Sequence, residues 1–352
     1  MGRLFSIARI AAAYAGTVVG AGFASGQELL QFFVSYGTVG IVSMVLAGIL
    51  FAFLGSRILE LGYRFQAESY HEILYAVCGR RLGRILDGLT ALFLFGGLCI
   101  MLSSTRSVCQ DYGGVDGDLG ALLMALVVAV TVRFGVNAVS AVNLLIIPLL
   151  VGASVVVSTD SILYHHDELF SLIAALPPQP QLSPVFHWLP ACFLYVSFNL
   201  ILGATLLAPL GRRTPDRAVR VWGAIIAGGL LAALGLMIMT VIMLHYPVIL
   251  DYEVPMLYVS QAQHGLNHLG YAAMLLKAMF STAMASLYGC AVKMQSATGF
   301  SFTLCLVLIS AAGWGGSQFG FAALVSLLYP LFGYLSLAFT VGLLWQFYQD
   351  KK

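Results

Sequence analysis

The sequence predicts an all-α polytopic membrane protein with ten transmembrane helices, on three observations. Only 9% of the 352 residues are charged and 60% are apolar, whereas a soluble domain carries about 25% charge. Uncharged apolar runs of roughly 20 residues, enough to cross about 30 Å of hydrocarbon, recur about ten times and consume nearly the whole chain. Basic residues gather in alternate connectors. Helices are required because an open sheet cannot satisfy its backbone in lipid.

The spans fall near 8–36, 38–63, 84–111, 119–134, 136–158, 186–210, 218–246, 266–292, 300–314 and 320–347. The first run outlasts a signal-peptide core and lacks a small-residue cleavage pattern, so it reads as a retained span. Between the second and third, residues 66–79 read as a short amphipathic helix, and 167–176 as another. Pro177, Pro178 and Pro180 stiffen a link at the midpoint. The chain thus reads as one membrane domain, 1–352, whose halves (about 1–160 and 184–352) are joined by an extracytoplasmic connector, 161–183.

With a cytoplasmic N-terminus, fifteen of the seventeen Lys and Arg residues fall on the cytoplasmic side. The exceptions, Arg106 and Lys277, lie inside spans. The opposite connectors hold Asp111, Asp116, Asp118, Asp160, Asp167, Glu168, Asp251 and Glu253 with no basic residue. Both termini are therefore expected on the cytoplasmic side. A net charge of +2 and short polar stretches argue against nucleic-acid binding. The six cysteines have no CxxC pair and read as small core hydrophobes. Six of the seven histidines lie in or near outward loops, and His264 with His268 lacks a third ligand. No acid, base and nucleophile meet inside a span, so an enzyme is not expected.

Chemistry concentrates in the first span. Gly16, Gly20, Gly22 and Gly26 are four glycines in eleven residues, which weakens a helix and permits unwound backbone. Such backbone is tolerated at membrane depth only where protein covers it or it lines a cavity. An unwound break presents amides to a carboxylate and carbonyls to a small cation. The same glycines, as Gly16-xxx-Gly20 and Gly22-xxx-Gly26, also suit close helix packing. Glu28, directly after the cluster, favours the functional reading, because a carboxylate in a span costs at least ~2.5 kcal/mol and is retained for use.

The sixth span carries Pro190 and then Tyr195, Ser197, Phe198 and Asn199 before Gly203. Interrupted helices at corresponding places in two halves mark a transport site; ordinary interhelical hydrogen bonding also accounts for Ser197 and Asn199. In the eighth span, Lys277 precedes Ser281 and Thr282 by one turn. Lys277 is expected to pair with Glu28 or with a substrate carboxylate, since pairing offsets the cost of burial. Arg106 reads as a snorkelling or outer-gate residue.

The string Ala15-Gly16-x-x-Val19-Gly20-x-Gly22 resembles the glycine signature of the leucine-transporter-fold carriers, the amino acid-polyamine-organocation superfamily. Extended through Phe23, Ser25 and Gln27 to Glu28, it is similar to the bacterial YkvI-type membrane proteins. The resemblance implies a five-plus-five inverted repeat with helices one and six unwound around the substrate. It also implies that Gly20, Ala21 and Gly22, with Phe23 and Ser25 beside them, hold a substrate carboxylate opposite Tyr195, Ser197, Phe198 and Asn199. A Na⁺ would sit on Gly16, Val19, Ser281 and Thr282. Phe23 stands where sodium-coupled members often place an amide side chain, which argues against a second, substrate-touching ion. Lys277 could replace the cation, leaving Glu28 to carry a proton.

The expected function is secondary active transport of a small zwitterionic solute, an amino acid first, coupled to Na⁺ or H⁺ by alternating access. The protein would work in the lipid bilayer as a monomer or homodimer. The alternative is a non-coupled channel or receptor-like protein on the same fold.

Overall fold

The computed structural model describes residues 2–134, 137–167, 178–179, 182–262 and 267–350. The first span is three pieces: α1 (Gly2–Val18), α2 (Ala21–Ser25) and α3 (Gln27–Phe32). Then follow α4 (Val39–Arg64), α5 (Tyr70–Tyr112), α6 (Gly117–Arg133) and α7 (Asn137–Tyr164). The second half contributes α8 (Trp188–Arg212), α9 (Arg217–Leu244), α10 (Pro255–Ala262), α11 (Asn267–Thr298), α12 (Phe302–Ser317) and α13 (Phe321–Gln349). Among the described residues, six helices are long and apolar enough to cross a membrane: α4, α5, α8, α9, α11 from His268, and α13. The proline link and the helix expected over 167–176 lie almost wholly outside the described residues.

Local chemistry sets the ends. Ser69 and Glu72 form a capping box at the start of α5. Gly79, at φ 71°, then turns the chain between a short interfacial segment and the span proper. Asp216 accepts the Ala218 amide at 2.9 Å to start α9. The helix α10, in the loop before α11, has no counterpart among the expected elements.

The centre of the bundle is α4 against α8 and α9, with α13 packed on α8 and on α5, and α11 on the other flank of α5. Lipid gives helices no hydrophobic reason to associate, so close backbone approach through small residues holds them together. A Cβ on Gly48 would lie 2.6 Å from the Ala232 Cβ, and one on Gly228 2.4 Å from the Gly48 carbonyl oxygen. Neither position admits a larger residue without parting α4 from α9.

One expectation is corrected. The sixth span, α8, is continuous from Trp188 to Arg212, with no unwound segment. Pro190 falls in the first turn, where a missing N–H costs nothing. Its polar residues are used in packing: the Asn199 amide donates to the Tyr195 carbonyl at 3.0 Å, and Thr340 donates to the Ser197 hydroxyl at 2.9 Å.

The arginine-bearing helix ends are laced together. Arg220, with 2% of its side chain exposed, meets Glu60 at 2.7 Å and donates to the carbonyls of Thr214 and Pro215. Its guanidinium lies 4.3 Å from the Tyr63 ring centroid. Arg57 and Arg64 share Asp350, Arg212 meets Glu68, and Lys293 meets Asp87.

Candidate functional site

Helix α1 stops where the glycines begin. The Val19 amide still reaches Ala15, but the Gly20 amide turns back to the Val18 carbonyl at 2.9 Å instead of reaching Gly16. The next regular bond runs from Ala24 to Gly20. The carbonyls of Gly16 and Val19 are therefore released from their i+4 partners. The first amides of α2, on Ala21, Gly22 and Phe23, also lack intrahelical acceptors, and no side chain caps them. A Cβ on Gly20 would meet no atom within 4 Å, so there is room beside the break.

A second joint follows at Gly26, whose φ of 84° is left-handed and suits glycine alone. Ser25 holds this bend: its hydroxyl donates to the Gly22 carbonyl at 2.7 Å and accepts the Gln27 amide. The bend swings α3 so that Glu28 folds back over α2. A Cβ on Gly22 would lie only 2.0 Å from Glu28 Oε1. Glycine is required here for space.

Glu28 is buried and among the described residues has no cation within 4 Å. Tyr195 of α8 donates to its Oε2 at 3.2 Å, and the hydroxyl of Tyr329 of α13 lies beside it, next to the point where a Cβ on Gly22 would stand. Phe198 bridges the two rings, its centroid 5.3 Å from Tyr195 and 4.8 Å from Tyr329. Phe32 and Phe33 pack on the far side of Tyr195 at 5.6 and 5.0 Å.

Lys277 does not join this group. The buried stripe of α11 runs through Tyr271, Leu275, Ala278 and Met279, and Lys277 falls off it onto the exposed surface. The expected Glu28–Lys277 pair is replaced by the phenols. Arg106 meets Asp118 at 2.7 Å. Ser281 is buried and Thr282 half-buried on α11, which is tied to α2 by the Tyr271 hydroxyl donating to the Ala24 carbonyl at 2.7 Å. Phe23 is fully buried. Thus Gly22, Glu28, Tyr195 and Phe198 come together, whereas Ser25, Ser197 and Asn199 are occupied in holding the backbone and helices.

Tyr329 was not anticipated. Its signal was a phenol set beside Pro330 in an otherwise apolar span. Also new is a cavity of about 300 Å³ between α3, α13 and the loop before α10, lined by Gln27, Gln31, Asp251, Glu253, Ala322 and Ser326 among others. Gln31 donates to the Ala322 carbonyl at 2.9 Å across it. Glu253 accepts from Ser107 and from the Phe321 amide, joining the loop to α5 and α13. No cluster of three or more His, Cys, Asp or Glu is present among the described residues.

No family model matches the chain. It is 30% identical over 339 residues to the uncharacterized membrane protein YkvI of Bacillus subtilis (strain 168), spanning 96% of this chain and 95% of that one. It is 23% identical to the uncharacterized protein YyaD of the same strain, over 94% and 93% of the two chains. In fold it is similar to a Na⁺-coupled sialic acid symporter in its substrate-bound outward-open state (TM-score 0.63, 16% identity, 96% of this chain and 78% of that one). It is similar also to inward-facing Mhp1 (TM-score 0.62, 17% identity, 93% and 72%) and to a manganese transporter of Eremococcus coleocola (TM-score 0.61, 15% identity, 96% and 78%).

Proposed function

The chain belongs to the family of the Bacillus subtilis membrane protein YkvI, and on that premise we propose that it is a secondary active transporter. Its solute is small and zwitterionic, an amino acid first, and it moves by alternating access around the broken first span. The observation that carries this reading is the break at Val19–Gly20, with free backbone groups on both sides and Glu28 folded against it. A purely structural helix has no use for released carbonyls at that depth. The fold shared with two symporters and a metal transporter supports it.

In this reading ten spans form a five-plus-five inverted repeat across the bacterial inner membrane, with both termini cytoplasmic and halves 1–160 and 184–352 on either side of connector 161–183. Asymmetric placement of Lys and Arg supports that orientation. The unit is a monomer or homodimer.

Two coupling schemes use different residues. Released carbonyls of Gly16 and Val19, with the hydroxyls of Ser281 and Thr282, are uncharged oxygens that suit Na⁺ better than a divalent metal. These residues would hold the ion, whose charge would draw the ends of the break together. In the second scheme Glu28, which among the described residues has no cation within 4 Å, takes and releases a proton.

Uptake of a radiolabelled amino-acid panel into proteoliposomes under a Na⁺ gradient and, separately, a pH gradient tests the proposal. Accumulation above equilibrium under one gradient is expected. Under Na⁺, Ser281→Ala and Thr282→Ala should each lower the apparent ion affinity, because methyl groups cannot replace hard oxygen ligands. Under a pH gradient, Glu28→Gln should lose uphill accumulation. Equilibrating flux that neither gradient drives uphill would leave a channel.

A further inference from the structure

The solute's recognised group is written in the surroundings of Glu28. This carboxylate is 5% exposed, touches two phenol hydroxyls, and among the described residues has no cationic partner within 4 Å. An ionised carboxylate away from water calls for a positive partner. Tyr195, Phe198 and Tyr329 form a chain of rings, centroids 5.3 and 4.8 Å apart, whose two phenol ends lie at this carboxylate. Ring faces attract cations, and the attraction grows when water is excluded.

The approach has the same sign. The cavity between α3 and α13 is walled by Asp251 and Glu253 and has no Lys or Arg in its lining. Gln27 Oε1 and Gln31 Oε1 are buried there with no hydrogen-bond donor. These are unpaired acceptors that an N–H would satisfy. Its α13 wall leads through Ser326 to Tyr329, one turn further on.

The first amides of α2 suit a carboxylate only if Glu28 is absent. Its Oε1 lies against Gly22, and two like charges a few ångströms apart in a medium of low dielectric repel strongly. A divalent metal would need several hard ligands, and only one carboxylate is present. We propose that the solute is recognised through an ammonium group placed between Glu28 and the chain of rings, and that a carboxylate on the solute is dispensable. This inference rests on the transport reading for its setting and sharpens it from a zwitterion to an organic cation.

The test is a thermal-shift titration of the purified full-length protein with two matched sets: isopentylamine, leucine and N-acetylleucine, and phenethylamine, phenylalanine and N-acetylphenylalanine, with Mn²⁺ alone as a metal arm. A ligand that binds the native state raises its unfolding temperature. Amines should stabilise at least as well as the matching amino acids, and the acetylated compounds, which lack the charge, should not. Glu28→Gln, which keeps the shape and hydrogen bonds, should weaken amine binding about a hundredfold. Phe198→Leu should weaken it several-fold through the lost ring. The inference is overturned if the acetylated compounds bind as well as the amines, if amino acids bind and amines do not, if no amine stabilises the protein at millimolar concentration, or if Mn²⁺ alone gives a Glu28-dependent shift. Uptake assays keep the two readings apart. Amine binding without any uptake removes the transporter and leaves the ammonium site, whereas uptake of acetylated solutes does the reverse.

Discussion

Glu60 and Glu28 sit in the same bundle and keep opposite company. Glu60, near the C-terminal end of α4, is met by Arg220, which itself lies over Tyr63 and is tied to two carbonyls. Glu28 is more deeply buried, and among the described residues its polar company is phenolic. Glu60 has its positive partner within the chain, and the pair joins α4 to α9. Around Glu28 no cation lies within 4 Å among the described residues, and a buried carboxylate left so is the kind of group that working sites keep.

Arg220→Met gives this contrast its largest test. It strands Glu60 and two carbonyls, and should cost about 3–5 kcal/mol of stability, with the Glu60→Gln/Arg220→Met double variant milder. Glu28→Gln should by contrast leave the unliganded unfolding temperature unchanged or raise it, because it removes a charge that has no partner. Equal losses in thermal unfolding would break the distinction.

The next test stays inside the break. Gly22→Ala drives a methyl into Glu28 Oε1, and a carboxylate moved by about 1 Å should weaken amine binding about a hundredfold. Gly20→Ala, whose methyl meets nothing within 4 Å, should change binding little. Similar losses from both variants would mean that the glycines act through backbone flexibility and not through space.

The smallest effect lies at the C-terminal end of α13. Hydrogen bonds from Arg64 and Arg57 hold the Asp350 carboxyl below its usual range. Its stabilisation is therefore complete above the unfolded pKa of about 4 and disappears as pH falls through the lower folded value. Asp350→Asn should lower the unfolding temperature slightly at neutral pH, by an amount equivalent to about 1 kcal/mol or less, and the wild-type advantage should vanish in strong acid.

The membrane class, the break and Glu28 were legible because scarce charge and clustered glycine are local signals. Tyr329 was not, since its role depends on α13 crossing α3 some 300 residues away in sequence, and a tyrosine in an apolar span carries no mark of what it touches. Lys277 misled for a related reason. Depth can be estimated from sequence, but the side of α11 on which a residue falls depends on which stripe packs inward. The unbroken α8 turns on a similar point: Pro190 breaks a helix only if a full turn precedes it, and here α8 begins two residues earlier.

A first span jointed at Val19–Gly20 has the geometry of a lever. From Gly2 to Val18 the arm α1 has 17 residues, about 25 Å at 1.5 Å per residue, and its fulcrum is the two-residue gap before α2. Swinging it by about 10° carries its far end about 4 Å, a displacement comparable to the width of a small solute. Ile10 packs that arm against Gly223 of α9, and its far end carries a light catch, Arg3 to Asp216 at 2.9 Å, whose side chains are 63% and 43% exposed and whose strength in water is correspondingly low. Beyond the fulcrum, Tyr271 clamps α2 to α11, so leverage is directed toward the N-terminal tip of α1.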